Sequence, residues 1–420
     1  MKKDESQRNP MEHARRRRTL LQAGTATAAI GFSPWVRSQS DKIKLGHLTP
    51  MTGFLGALGE YAVMGVNLAL EEVNAAGGVL GRQVELLVED SVNPSVASSK
   101  AQRLYERDGV LALLGEISSA SALTISQVAA RNKRIFMSSG ARSDALRGKS
   151  CNRYTFHVDT STTANVKGVG TALLRDNMIK GKKMFALTAD YVFGHDLAKA
   201  ARAFIGANGG NLVGDELVAT DVADFSPYLL KIRQARPDVV CSNLAGNQVT
   251  TFMKQYSEFG LQYPIVGFNL NTNDAWAAGA DNFGGIWPVV WHHDVDVPNS
   301  KAFVASFMKK HGKPPEHHAW TDYLSLKFMA QAMNETKSLE ADKLIAYLEK
   351  GAEFDILKAR KGYFRDWDHQ LMQEQYTITV KPKSKSSDKW NFLALGPAVP
   401  AAGEPLEILA TTREENACTM

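Results

Sequence analysis

Cysteine is scarce in this 420-residue chain, with Cys151, Cys241 and Cys418 as the whole complement, and none lies in a C-x-x-C or other metal-like spacing. That excludes a zinc-ribbon or thioredoxin-like reading and leaves room for one disulfide at most. Beyond the first forty residues no stretch reads as apolar enough for a membrane helix, which needs about 20 apolar residues in succession. An excess of one charge is also lacking. The formal net charge is +5, part of it sits in a basic leader, and the remainder shows no basic stripe, so nucleic acid is a poor partner. Motif chemistry is sparse as well: there is no GxxxxGK[ST] and no GxSxG. Gly53, Gly56 and Gly59 follow a strand, but their GxxGxxG spacing fails the dinucleotide fingerprint. His292-His293 and His317-His318 lack the i, i+4 spacing of a helical metal site and read as surface or interlobe residues. No set of acid, base and nucleophile emerges. Neither a cofactor nor a metal is expected, and neither is catalysis.

What is present begins with an address. Arg15 to Arg18 run into Thr19-Leu20-Leu21, a weakly apolar run follows from Leu20 to Phe32, and Ser38-Gln39-Ser40 offers small residues to a signal peptidase. This three-part anatomy predicts a secretory signal over residues 1–40, with cleavage before Asp41. The twin arginine followed by two leucines resembles the twin-arginine export signal. The competing reading is a cytosolic protein with a basic, disordered N-terminus. No cysteine lies near the end of the leader, so a lipid anchor is not expected and the exported form should be soluble in the periplasm. An oxidising compartment permits a disulfide. Cys241 ends the apolar run Pro237–Cys241 and reads as a buried strand residue. Cys151 and Cys418 lie in polar, loop-like sequence and are paired on that ground, with three free thiols as the alternative.

From Ile43 onward short apolar runs alternate with helical periods. Strands are predicted at Ile43–Leu48, Val84–Val88, Val110–Leu114 and Ile135–Ser138. Between them lie helices, one with apolar residues at Val63, Val66, Leu70 and Val73 and an end at Gly77-Gly78, and one opened by Pro94. The same alternation repeats from Lys183 to Val266. The repeat predicts an α/β protein of two doubly wound parallel-sheet lobes rather than one sheet of about ten strands. The tail is read as helices over 301–310, 320–333 and 341–348. A hairpin is expected between Gly362–Phe364 and Tyr376–Val380 around Asp366-Trp367-Asp368, and irregular chain from Lys381. Such a tail should complete the two lobes, so the chain is expected to cross between them more than once. The expected partition is 41–160 plus 293–360 for the first lobe, 161–292 plus 361–400 for the second, and a C-terminal tail of 401–420.

Ligands of open parallel sheets sit at the carboxyl ends of the strands. The loops there hold Ser118-Ser119 and Ser139-Gly140-Ala141-Arg142 in the first series, and Tyr191-Val192-Phe193, Ala245 and Asn269 in the second. The serines at loop–helix junctions suit an anion or, equally, simple helix capping. Arg142 suits a carboxylate, or a solvated surface. Tyr191 and Phe193 suit a ligand wall, or packing beneath the loop.

These residues carry a resemblance. The opening strand, the Met51-Thr52-Gly53 loop and the segment Asn74-Ala75-Ala76-Gly77-Gly78 resemble the leucine/isoleucine/valine-binding protein family. Glu89-Asp90, Gly115–Ser121, Ser138–Leu146, Asp190–Gly194 and Asp224-Phe225-Ser226 continue the likeness in order over essentially the whole mature chain. The resemblance implies a type I periplasmic binding protein fold, the substrate-binding part of an ABC importer, that closes by a hinge and hands its ligand to a membrane permease. A monomer is expected. By position, it implies that Ser118, Ser119, Ser139 and Ala141 meet a ligand carboxylate, with Phe193, Ala245 and Asn269 contributed by the second lobe. The stretch Leu146–Cys151 with Cys418 resembles a subgroup that has a cysteine at each place, which favours that pairing. Asn269 stands where a carboxylate commonly meets a ligand ammonium, Ala245 where an aromatic is common, and Arg142 where a small hydroxyl residue is usual. These departures point away from a plain α-amino acid and toward another small carboxylate, aromatic or aliphatic. A periplasmic sensor subunit on the same fold and a secreted enzyme are the rival readings. Hinge crossings are expected near Val158–Ser161, Val289–His292 and Lys361–Phe364.

Overall fold

The computed structural model describes residues 42–420, so the expected leader lies outside the described residues. Those residues belong to one compact unit. The first half runs β1 (Ile43–Thr49), α1 (Gly56–Ala75), β2 (Val84–Asp90), α2 (Pro94–Glu106), β3 (Ala112–Gly115), α3 (Ser119–Asn132), β4 (Ile135–Ser138) and β5 (Thr155–His157). Its five strands form a parallel sheet of order β2-β1-β3-β4-β5. Helices cover both faces, so Leu45, Leu48, Leu114, Phe136 and Met137 are all buried and the strands read as continuous apolar runs. Local signals set the helix starts. Asn93 Oδ1 accepts the Val96 N–H at 3.0 Å with Pro94 in the first turn.

The second series runs α4 (Thr162–Arg175), β6 (Lys183–Ala189), α5 (Val192–Ala207), β7 (Asn211–Val218), α6 (Ser226–Ala235), β8 (Val239–Asn243), α7 (Asn247–Glu258), β9 (Ile265–Gly267) and α8 (Thr272–Ala278). Its parallel sheet has the order β7-β6-β8-β9. Each half is thus doubly wound, and the two sheets form separate lobes. Sequence reading leaves α4, α8 and β5 unplaced.

The tail holds β10 (Trp287–Val289), α9 (Pro298–His311), α10 (His317–Thr336), α11 (Ala341–Glu349), β11 (Tyr363–Phe364), β12 (Leu371–Met372), β13 (Gln375–Val380) and β14 (Leu393–Val399). Helices α9 and α10 return to the first lobe and pack on α1. The expected hairpin between 362–364 and 376–380 does not form. Instead β11 pairs with β12, and β13 lies antiparallel between β10 and β14. The cause is a tight turn that sends the chain back early, held by Arg365 Nε donating to Asp368 Oδ1 at 2.9 Å. Gln370 then bridges to His157 at the edge of the first sheet, so 363–372 stays with the first lobe. Just beyond, Gln373 Nε2 reaches the Val158 carbonyl at 2.9 Å. The irregular chain expected after Lys381 contains β14, anchored by the buried pair Phe392 and Leu393.

Helix α1 with the turn before it, Gly53–Ala75, is long and apolar enough to cross a membrane by length and composition, contrary to the expectation that no such stretch follows the leader. In the fold it is a core helix. Tyr61, Val66 and Ala69 are buried, and Gly65 lies so close to α10 that a Cβ there would stand 1.9 Å from the Ala319 carbonyl oxygen. Cys151 and Cys418 form the disulfide, and Cys241 is free and buried.

Candidate functional site

The carboxyl ends of the two parallel sheets face each other across a narrow cleft lined by residues of both. Its first-lobe wall comes from the turn after β1 (Leu55) and the first turn of α1 (Leu58), the loop after β3 (Ile117), the loop after β4 (Gly140, Arg142) and the start of α10 (His318). The second lobe supplies Tyr191 and Phe193 after β6, Ala245 after β8, and Asn269 and Asn271 after β9. Tyr191 also meets Phe54 of the first lobe edge-on, with ring centroids 5.5 Å apart. Gly246 adopts φ +54° where the lobes touch, and a Cβ there would stand 2.4 Å from the Phe54 carbonyl oxygen.

Arg142 is the central charge. Its Nε donates to Asp159 Oδ2 at 2.7 Å, its Nη1 donates to Asn269 Oδ1 across the cleft, and its Nη2 has no protein partner. Burial alone would push the Asp159 carboxyl up, but the Arg142 guanidinium and His317 hold it well below the usual carboxylate range. Burial pushes His317 down to about 4 despite its contact with Asp159. Asp159 is therefore the ionised member of that pair and His317 the neutral one. Glu316 likewise stays below its ordinary value, because His318 outweighs its burial. Its Oε2 accepts the His318 backbone N–H at 2.8 Å.

The residues expected to contact the ligand differ in whether they reach the cleft. Arg142, Tyr191, Phe193, Ala245 and Asn269 line the cleft. Ser118, Ser119, Ser139 and Ala141 are not among the lining residues, and each makes hydrogen bonds within the protein. Ser118 caps α3 by accepting the Ser121 N–H at 3.4 Å. Ser119 Oγ accepts the Ser143 N–H at 3.2 Å, and the Ala141 carbonyl accepts from Arg147 Nη2 at 3.1 Å. Ser139 Oγ donates to Asp322 Oδ2 at 2.9 Å, and Asp322 Oδ1 lies 2.7 Å from His47 Nε2. In that buried trio the carboxylate stands between hydroxyl and imidazole, so the histidine is not placed to take the serine proton.

Sequence reasoning did not assign Asn271 or His318 to the site, although it read the His317-His318 pair as surface or interlobe. The strand-end rule reaches the loop of Asn271, whereas nothing local marks His318, which arrives from a distant helix. Of the histidine pairs, read as surface or interlobe residues, His292, His317 and His318 are buried rather than at the surface, and His318 lies between the lobes. Two groups have the composition of metal ligands, Asp159-His317-His318 and His292-His293-Asp294. In the first, the Arg142 guanidinium already occupies the cation's place against Asp159.

The periplasmic binding protein family model matches residues 42–387. A "Leu/Ile/Val-binding protein homolog 8" from Brucella melitensis is 27% identical over 404 residues, spanning 89% of this chain and 98% of that protein. Among solved structures, a periplasmic binding protein from Burkholderia mallei superposes with a TM-score of 0.83 at 29% identity, covering 90% of this chain and 99% of the other. A branched-chain amino acid ABC transporter periplasmic ligand-binding protein from Burkholderia xenovorans gives a TM-score of 0.78 at 27% identity, covering 90% and 100%.

Proposed function

This chain belongs to the periplasmic binding protein family, as a substrate-binding protein of the branched-chain amino acid ABC transporter type, and from that premise we propose what it captures and how. The ligand is a small carboxylate, an amino acid or an aromatic or aliphatic acid, held between the lobes and passed to a membrane permease. The observation that carries this reading is Arg142: a guanidinium buried at the lobe boundary, one edge of which meets no protein group. Unmet donors at such depth are costly, and a carboxylate oxygen satisfies them with a charge-assisted bond.

Binding follows hinge closure. The first lobe takes the carboxylate on Arg142, and Tyr191, Phe193, Ala245, Asn269 and Asn271 swing over it and exclude water. The crossings run near 158–161, 290–297 and 373–375, which puts 42–160 and 293–372 in one lobe and 161–292 and 373–400 in the other. A disulfide-fastened tail of 401–420 follows. The protein acts as a monomer without turnover, exported by the twin-arginine route. The permease reads the closed arrangement, because only closure fixes the two lobe surfaces relative to each other.

The test is a mass spectrum of whatever co-purifies with the native protein, followed by isothermal titration of that compound into wild type and Arg142→Gln. A carboxylate that binds wild type and is lost from the variant supports the reading. A co-purifying cation or neutral sugar that binds both equally sinks it.

A further inference from the structure

Arg147 follows Arg142 closely in the chain and is only 2% exposed. Its guanidinium meets five neutral oxygens. Nε donates to Gln370 Oε1, Nη1 to the Ser143 carbonyl at 3.0 Å, and Nη2 to the carbonyls of Ala141 at 3.1 Å and of Asp159 and Thr160 at 3.0 Å. Burial lowers its pKa to about 10, which leaves it charged at neutral pH. A cation buried among neutral acceptors is costly to desolvate, so its N–H groups have to be met and the oxygens that meet them are held in place.

Those oxygens come from three stretches that are separate in the sequence. Ala141 and Ser143 flank Arg142 in the loop after β4. Asp159 and Thr160 belong to the chain that passes from β5 into α4, the first of the proposed crossings. Gln370 stands just before β12, ahead of the last proposed crossing, and its Nε2 donates to the Asp159 carbonyl at 2.8 Å.

Arg142 is thereby held at both ends. Its backbone is gripped on either side through the Ala141 and Ser143 carbonyls, and its own carbonyl accepts the Thr162 N–H at 2.9 Å. Its side chain donates to the Asp159 carboxylate at 2.7 Å, and the Asp159 carbonyl is bonded to Arg147 in turn. The bonds close a ring that runs from Arg147 through the loop, the Arg142 side chain and Asp159 back to Arg147. A binding group rooted and tipped in this way keeps its geometry because its supports are themselves locked.

We infer that Arg147 is the positioning residue of the binding site: it stands outside the cleft lining and sets the place of Arg142 by clamping that loop onto the first and last crossings. This rests on the proposed role of Arg142 and deepens it. Lysine is a poor substitute, because a point ammonium with three donors does not reproduce a planar fork with five.

Hydrogen exchange and isothermal titration on Arg147→Lys test this, beside wild type and Leu104→Ala. Lysine keeps the charge, whereas Leu104→Ala removes buried packing on α2 and destabilises the first lobe away from the loop. Arg147→Lys should exchange about tenfold faster or more in peptides covering 140–145 and 159–162, while strand β6 exchanges as in wild type. It should also weaken, by about tenfold or more, whichever of leucine, benzoate and 4-hydroxybenzoate titrates into wild type. Leu104→Ala should lose stability to urea and show neither change. If the lysine variant does not fold, Gln370→Leu, which removes one of the five acceptors, carries the same test with a smaller expected effect. Unchanged exchange in the two segments, unchanged affinity, or the same changes in Leu104→Ala overturns the inference. If none of the three probes binds wild type, exchange alone decides whether Arg147 positions the loop, and the carboxylate reading stands or falls separately on the co-purifying compound.

Discussion

The Asp196 carboxylate on α5 of the second lobe accepts the Ala145 backbone N–H of the first lobe at 3.0 Å, with the Ser143 hydroxyl bonded to the same oxygen. Ser143 directly follows Arg142, and Asp196 lies one helical turn beyond Phe193. The segments that line the cleft therefore also join the lobes, so closing the lobes and completing the cleft are coupled through rigid pieces of chain.

Removing that contact should speed ligand release without touching the ligand. Asp196→Ala is expected to weaken binding by about 1 kcal/mol, roughly fivefold, mainly through a faster off-rate. Stopped-flow displacement of the bound ligand checks this, and an unchanged off-rate would show that the contact carries none of the closure energy.

The Cys151–Cys418 bond spans 267 residues of sequence. Replacing both cysteines with serine should lower stability to urea by about 2–5 kcal/mol, since the cross-link restricts the unfolded chain. The same loss should appear in wild type under reductant, and the reductant should do nothing further to the double variant, because Cys241 is free already.

Acidity should show in stability with a definite sign. Burial pushes the Glu116 carboxyl up to about 8 from its ordinary 4.5. The folded protein thus keeps a proton that the unfolded chain releases, and stability is lost as pH rises from about 4.5 to about 8. Asp274, pushed up to about 7 chiefly by burial, acts in the same direction. Asp159 acts oppositely: its folded value is depressed, so its contribution is present above its ordinary 3.8 and is lost as pH falls below that. Glu116→Gln should therefore flatten the decline between pH 5 and 8 and gain on the order of a few kcal/mol over wild type at pH 8. Urea denaturation at pH 5, 6.5 and 8 measures it, and an equally steep decline in the variant would acquit Glu116.

Gly65 permits α1 to touch α10. Gly65→Ala places a methyl group 1.9 Å from the Ala319 carbonyl oxygen, so the helices must separate. A loss of about 1–3 kcal/mol or more is expected, as for other overpacked cores, and thermal denaturation reads it. A melting temperature equal to that of wild type would mean that the helix pair yields without cost.

Much of the architecture was legible because parallel strands covered on both faces announce themselves as apolar runs. Ile43–Leu48 and Ile135–Ser138 are examples, and Gly77-Gly78 and Pro94 punctuate the helices. The misses have local causes. In α4, Gly168 and Gly170 interrupt the helical pattern, and β5 has only three residues. Strand β13 pairs with β10, which lies far upstream in the chain, and no local pattern can report such a partner.

The candidate site divides in the same way. The rule that ligands meet strand ends leads to Arg142, Tyr191, Phe193, Ala245 and Asn269, all of which line the cleft. Residue type alone could not tell a hydroxyl facing the cleft from one facing inward, and Ser139 turned out to bond Asp322. Arg142 read equally as a solvated arginine until burial placed it against Asp159.

Sequence by itself determined the two α/β repeats, the cysteine pairing as a choice between alternatives, and the family. Periodicity, turn residues and ordered motifs are local, and each is stamped on a few neighbouring residues. Tertiary structure alone decided that His318 and Asn271 share a cleft with Arg142, that Asp196 ties the lobes together, and that the tail hairpin stays with the first lobe. Those facts depend on contacts between residues far apart in the chain. Their geometry is set by which buried polar atoms find partners, and at Arg142 and Asn271 two atoms find none within the protein.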